Sequence, residues 1–253
     1  MEAPNVNQIA FVTGADRGLG LALCARLLSK GWQVFAGQYM PEWPALGELE
    51  LRYPNTLVTV PLDVASDESV QDASRTVASR VDRVDLLIND AGVMSPSHMQ
   101  GIRQAPDYDE MHRLYDVNAL GPLRVVSAFL PLVAAGQMKR LCFVSSEAGS
   151  INRAQRTSWY GYCMSKAALN MGIKILFNRL RPEGYTFRVY HPGWMRTYMS
   201  GKKGMDADME PEEAAGPALA YFGSHLHADD RDLWHSDEDR LVLRDWQGRE
   251  WPW

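Results

Sequence analysis

From residue 9 onward, short apolar runs alternate with stretches of helical periodicity, and that alternation restricts the fold more than any other property of the chain. Ile9–Val12, Val34–Gly37, Thr56–Leu62, Val84–Ile88, Leu141–Ser145 and Phe187–His191 are short, largely apolar and bounded by turn residues, which predicts strands. Leu19–Ser29, Pro41–Tyr53, Ser66–Arg80, Asp107–Leu132, Ser158–Leu180 and Pro211–Phe222 carry helical spacing. Gly121-Pro122 predicts a bend inside the longest of these. Leu241–Leu243 reads as a last short strand. Strands separated by helices pair in parallel through right-handed crossovers, and helices then cover both faces. The expectation is one α/β domain over residues 1–253, built on a single doubly wound parallel sheet of about seven strands. Ligands in such a sheet bind beyond the carboxyl ends of the strands, where the strand order reverses. The residues that follow strands are therefore the informative ones.

A chain of 253 residues can bury a full core without disulfide or metal staples. The net charge of -5 argues against nucleic-acid binding, which needs clustered Lys and Arg. Three widely spaced cysteines, Cys24, Cys142 and Cys163, suggest neither a disulfide framework nor a zinc site, and favour a cytoplasmic protein. The polar start, Met1 to Gln8, lacks a signal pattern, and no uninterrupted apolar run reaches the ~20 residues of a membrane span. His225 and His227, followed by Asp229 and Asp230, are better read as a polar loop than as a metal site.

Thr13-Gly14-Ala15-Asp16-Arg17-Gly18-Leu19-Gly20 follows the first strand and opens the first helix. Gly14 permits a turn of unusual dihedrals, Gly18 lets a diphosphate approach the backbone, and Gly20 lets the helix pack close to the sheet. The helix start offers free N–H groups and a favourable dipole to phosphate. Gln38 stands at the end of the second strand, where a site selective for NAD places an acid. Arg17 offers a fork suited to a 2′-phosphate. The expectation is NADP, with NAD less favoured, although Tyr39 stands where a second Arg would strengthen it.

Tyr162 and Lys166 lie one helical turn apart and share a face. A phenol titrates near ~10, and an adjacent ammonium lowers that value toward the range useful in acid-base catalysis. Ser146 follows the fifth strand, where its hydroxyl can hold a carbonyl oxygen while Tyr162 donates a proton.

These residues occur together with others in a specific order: Thr13 to Gly20, Asn89-Asp90-Ala91-Gly92, Ser146-x-x-Gly149, and Tyr162-x-x-Ser165-Lys166. In this set the chain resembles the short-chain dehydrogenase/reductase family over essentially its whole length. Met164 to Asn170, His191-Pro192-Gly193-Trp194 and the Pro252-Trp253 ending make it look closest to the sniffer-like and C-factor-like carbonyl reductases. The resemblance implies a Rossmann-type fold and a reversible hydride transfer between NADP(H) and a carbonyl or alcohol. Tyr162 would be the general acid in reduction. Lys166 would lower its pKa and hold the nicotinamide ribose, Ser146 would polarise the carbonyl, and Asn118 would position a proton-relay water. The resemblance also places Asp63 and Val64 beside the adenine, and Asn89, Ala91 and Gly92 along the cofactor. Pro192, Gly193, Met195 and Thr197 would contact the nicotinamide. Asp90 departs from the Asn usual in this motif, with an expected effect on local sheet bonding but not on mechanism. The stretch from Gly149 to Tyr162 is slightly long for the family.

Substrate would meet Met94, Ser146, Trp159 and Trp194, with Val93, Ser95, Ile151, Met195 and Met199 as further candidates. This apolar and aromatic set suits a hydrophobic or aromatic ketone or aldehyde. Residues 194–209, rich in Gly and Met, read as a lid. The Trp-rich ending suits a sheet edge or a subunit contact. By analogy with the family, the two long helices would pair copies into a homodimer or homotetramer. The alternative to an enzyme is a nucleotide-sensing regulator on the same fold, but the filled Ser, Tyr, Lys and Asn positions speak against it. A sugar-nucleotide epimerase or dehydratase would need a different glycine spacing and a longer chain.

Overall fold

The computed structural model describes residues 8–95, 101–199, 203–224 and 235–253. Eight strands form one sheet: β1 (Ile9–Val12), β2 (Gln33–Gln38), β3 (Leu57–Pro61), β4 (Leu86–Asn89), β5 (Arg140–Val144), β6 (Thr186–His191), β7 (Leu243–Asp245) and β8 (Glu250–Trp251). Their order is β3-β2-β1-β4-β5-β6-β7-β8. All neighbours are parallel except β7 and β8, which form an antiparallel hairpin. The chain reverses its winding between β1 and β4, and β1 registers Ala10 against Val34 on one side and Leu86 on the other. The helices are α1 (Gly18–Ser29), α2 (Pro44–Arg52), α3 (Asp67–Ala78), α4 (Tyr108–Tyr115), α5 (Gly121–Ala135), α6 (Tyr160–Leu180) and α7 (Pro211–Phe222).

Two apolar layers flank the sheet. Phe11, Phe35, Leu87 and Phe143 pack on one face with Phe129 of α5 and Ile173 of α6. Val12, Val34, Ile88 and Tyr190 pack on the other with Leu23 of α1 and Phe222 of α7. Successive residues of one strand point to opposite layers, so a strand buried on both sides is apolar along its length, as β1 and residues 141–144 of β5 are.

Three expectations change. The long segment 107–132 is not one regular helix: Asp116–Leu120 forms a π-helical turn between α4 and α5. Gly121-Pro122 directly follows that π-helical turn, and Pro122 has no N–H to give to it. Second, the seventh strand begins at Leu243, and the Trp-rich ending folds back beside it as an eighth strand. Third, the helical run Tyr108–Ala135 is long and apolar enough to cross a membrane by length and composition, although half of its most apolar window is buried inside the fold. His225, His227, Asp229 and Asp230 lie outside the described residues.

Candidate active site

The turn after β1 has the form the glycines require. Gly14 adopts φ +67, and a side chain there would meet Ala91 Cα at 2.8 Å. A left-handed dihedral and a close backbone approach together admit only glycine. Thr13 Oγ1 accepts the N–H groups of Asp90 and Ala91, both at 3.0 Å, and so fixes the end of β4 against the turn. Asp16 is buried and turns inward. Its carboxylate accepts the N–H groups of Tyr39 and Met40, each at 3.0 Å, and ties the loop after β2 to the turn. Burial pushes its pKa up against those hydrogen bonds. Asp16 is therefore placed as a clamp on the loop. Arg17 lies beside Met40, with its guanidinium 4.6 Å from the Trp43 ring centroid. Gln38 ends β2, and the carboxylate bonded to the two residues after it, that of Asp16, is taken up by their N–H groups; Arg17 then supplies a cation that fits a 2′-phosphate, and the first turn of α1 fits a diphosphate.

Several expected cofactor residues also make contacts within the protein. Asp63 Oδ1 accepts the N–H of Ala65 in a local turn, and Val64 packs against Gly121. Asn89 donates to the Cys142 carbonyl at 3.3 Å and leaves its Oδ1 buried without a partner. Gly193 has φ +83 and lies against Trp246. Thr197 rests over Gly18, and Met199 reaches over Gly92, so the segment after β6 covers the turn and the end of β4. Its base is closed by a Met195–Met209 bridge. Gly201 lies outside the described residues.

Ser146, Tyr162 and Lys166 converge beyond the end of β5. All three are at least nine-tenths buried. Ser146 Oγ accepts the Ala148 N–H at 3.1 Å and is hydrogen-bonded to the Tyr162 side chain. Lys166 Nζ donates to the Val144 carbonyl at 3.0 Å and lies 5.9 Å from the Tyr162 ring centroid. The expected lowering of the Tyr162 pKa is absent in this structure. Burial pushes it up to about 12, and the hydrogen bond with Ser146 offsets only part of that. The reason is geometric: the ammonium is bound to the Val144 carbonyl and not to the phenol. Burial lowers the Lys166 pKa to about 8, against the favourable charge of Asp90.

Asn118 sits in the π-helical turn, and its side-chain amide is fully engaged. It accepts from Val93 N–H at 2.8 Å and donates to the Val93 carbonyl at 2.9 Å and to Ser165 Oγ at 3.0 Å. Ser165 Oγ in turn donates to the Tyr162 carbonyl at 2.8 Å. The amide thus ties the segment after β4 to the helix that carries Tyr162 and Lys166.

Around the substrate side, Trp159 caps α6 in the left-handed region with φ 68, and its ring lies edge-on to Tyr162 at 6.3 Å. Met94 is half-buried, whereas Trp194 and Ile151 are 57% and 77% exposed. Sequence reasoning missed what holds the long loop after Ser146. Arg156 forms a bidentate pair with Glu147, stacks on Trp159 at 4.7 Å, and so braces the loop at both ends. Asn152 N–H donates to the Trp253 carbonyl at 3.1 Å. An Arg nine residues after Glu147 was the available signal. The bond to Trp253 had none, because it joins segments a hundred residues apart.

A reversing parallel sheet, a glycine turn that faces its switch point, and a buried Ser–Tyr–Lys group at the same edge define an oxidoreductase of the short-chain dehydrogenase/reductase type. The chain belongs to that family: residues 8–208 match the family model described as short chain dehydrogenase. An uncharacterized oxidoreductase of Schizosaccharomyces pombe is 36% identical over 85% of this chain and 83% of its own length. The C-signal protein of Myxococcus xanthus is 39% identical over 67% of this chain and 93% of its own. The NADPH-bound carbonyl reductase from chicken fatty liver matches with a TM-score of 0.82 at 29% identity, covering 98% of this chain and 99% of that one.

Proposed function

We propose that the protein is an NADP(H)-dependent carbonyl reductase acting on hydrophobic or aromatic ketones or aldehydes. The observation that carries this reading is the convergence of Ser146, Tyr162 and Lys166 beside the glycine-rich turn. The NADPH-bound structure of a 29%-identical carbonyl reductase supports the choice of cofactor and reaction. Bound NADPH would supply the hydride. Arg17 and the first turn of α1 would hold its phosphates, and Lys166 would hold its nicotinamide ribose. Ser146 would bind the substrate oxygen and Tyr162 would deliver its proton to that oxygen. Segment 194–209 would close over the substrate. The regulator alternative gains no specific support from the site. A cytoplasmic location is part of the proposal, in keeping with three free cysteines. So is pairing of copies through α6, whose Met164, Met171 and Ile175 are exposed.

The test is turnover of a carbonyl panel followed at the reduced-nicotinamide absorbance. The expected result is oxidation of NADPH faster than of NADH, and its loss in Tyr162→Phe with nucleotide binding retained. An unchanged rate in Tyr162→Phe would remove Tyr162 as the acid, and binding without turnover across the panel would favour a sensor.

A further inference from the structure

Two consecutive residues of the glycine turn grip the loop after β2. Asp16 does so through the N–H groups of Tyr39 and Met40. Arg17 does so with its guanidinium, which donates to Met40 Sδ at 2.8 Å and lies 4.6 Å from the Trp43 ring centroid. One turn of the loop presents both of these partners. Trp43 N–H donates to the Met40 carbonyl at 3.2 Å, and Pro44 then opens α2. Trp43 is thus fixed at a helix start, in extended backbone. Its ring has a second neighbour. Tyr198, from the segment after β6, meets it edge-on, with centroids 4.9 Å apart and planes at 61°. Thr197 of the same segment rests over Gly18, where an added Cβ would lie 3.5 Å from Thr197 Cγ2. The segment therefore spans from the glycine beside Arg17 to the ring that carries the Arg17 guanidinium.

A guanidinium carries its N–H groups in its own plane, so an aromatic ring can hold its face while its edge stays open to an oxyanion. A long Arg side chain loses rotamer freedom when it binds a phosphate, and a contact formed beforehand removes part of that cost. Arg17 is half-buried, where a cation–ring contact is worth more than on an open surface. Edge-to-face geometry lets Tyr198 orient the Trp43 ring without a hydrogen bond. We infer that Trp43 is a positioning residue for cofactor choice: it holds the Arg17 guanidinium where the 2′-phosphate of NADPH arrives, and Tyr198 holds Trp43. Discrimination against NADH then depends on two aromatic side chains that act through Arg17. This role rests on the reading of Arg17 as the cation for that phosphate, and adds the device that sets its strength.

The test is the Kd for NADPH and for NADH, followed by reduced-nicotinamide fluorescence, in the wild type and in variants of Arg17, Trp43 and Tyr198. Trp43→Ala should weaken NADPH binding by about tenfold and NADH binding by less than about twofold, through loss of one cation–ring contact. Trp43→Phe keeps a ring face and should retain most of the preference for NADPH. Tyr198→Ala should shift the NADPH-to-NADH ratio in the same direction by a smaller factor. Tyr198→Phe should not shift it, because the edge contact needs no hydroxyl. In the Arg17→Ala background, Trp43→Ala should leave the ratio where Arg17→Ala put it. Retained NADH binding shows that each variant is folded. An equal loss of NADPH and NADH affinity in Trp43→Ala would overturn the role of Trp43. So would an undiminished effect of Trp43→Ala on the ratio when Arg17 is already Ala. A wild type with no preference for NADPH, or one whose preference survives Arg17→Ala, would instead overturn the reading of Arg17.

Discussion

Tyr162 keeps its proton by desolvation, with its pKa near 12, while the ammonium of Lys166 is held by a backbone carbonyl and weakened to about 8. For reduction the protonated phenol is the useful form, so nothing in the ionisation of Tyr162 limits the reaction below strongly alkaline pH. The ammonium does. Lys166 is fully charged below its folded pKa and loses that charge as pH rises through about 8. The kcat/KM for reduction, which reports the free enzyme, is therefore expected to fall above about pH 8 and not near ~10. A profile flat to pH 10 would show that Lys166 stays charged in spite of burial. Trp159 adds a second residue-scale prediction. Its left-handed backbone costs about 1–3 kcal/mol and is kept because the ring lies against Tyr162 and Arg156. Trp159→Gly should raise the melting temperature relative to Trp159→Ala, and both should weaken binding of aromatic carbonyls. Equal melting temperatures would mean that the dihedral carries no strain.

At the scale of elements, the π-helical turn 116–120 and the loop 150–158 arrange the catalytic group, and they were the parts least legible beforehand. The strands, the glycine turn and α6 could be read from sequence because each rests on periodicity or on short-range residue spacing. The π-turn has no such signature. One extra residue in a single turn rotates the face of the helix after it, but residues 121–135 are apolar on so many sides that the shift leaves no gap in the pattern of 107–132. The motif positions of Asp16 and Asn89 do not reveal that their side chains bind protein groups. Whether a motif residue serves the ligand or the loop depends on where its side chain points, which spacing does not encode. Asn118→Ala removes three hydrogen bonds and strands their partners. The expected cost is about 2–4 kcal/mol in chemical unfolding, with a loss of kcat larger than the change in KM. A drop in stability with kcat intact would show that the amide holds the fold but not the site.

Across the whole molecule, β5 and β6 also carry a buried charge cluster away from the site. Arg140, the first residue of β5, and Arg188 of β6 are buried two positions apart in register. Both bond Glu238, and they also bond the carbonyl groups of Phe222, Ser224 and Tyr221 at the end of α7. Burial and the second guanidinium lower the Arg140 pKa to about 10. Glu238→Gln leaves two buried cations without their counter-ion and should destabilise the protein by about 3–5 kcal/mol, read by denaturant titration, with turnover per folded molecule unchanged. Equal stability would mean that the helix-end carbonyls alone neutralise the pair. The cluster fixes the end of α7; the neighbouring Asp237 binds Arg244 of β7, and the β7–β8 hairpin brings Trp253 to the loop after Ser146. The central claim is that one nucleotide spans the turn after β1 and the Ser146–Tyr162–Lys166 group. A crystal structure with NADP bound tests it most directly. The account predicts phosphates on the first turn of α1 and at Arg17, with the nicotinamide within contact of Tyr162 and Lys166; a nucleotide seated away from that turn, or one whose nicotinamide cannot reach Tyr162, would contradict it.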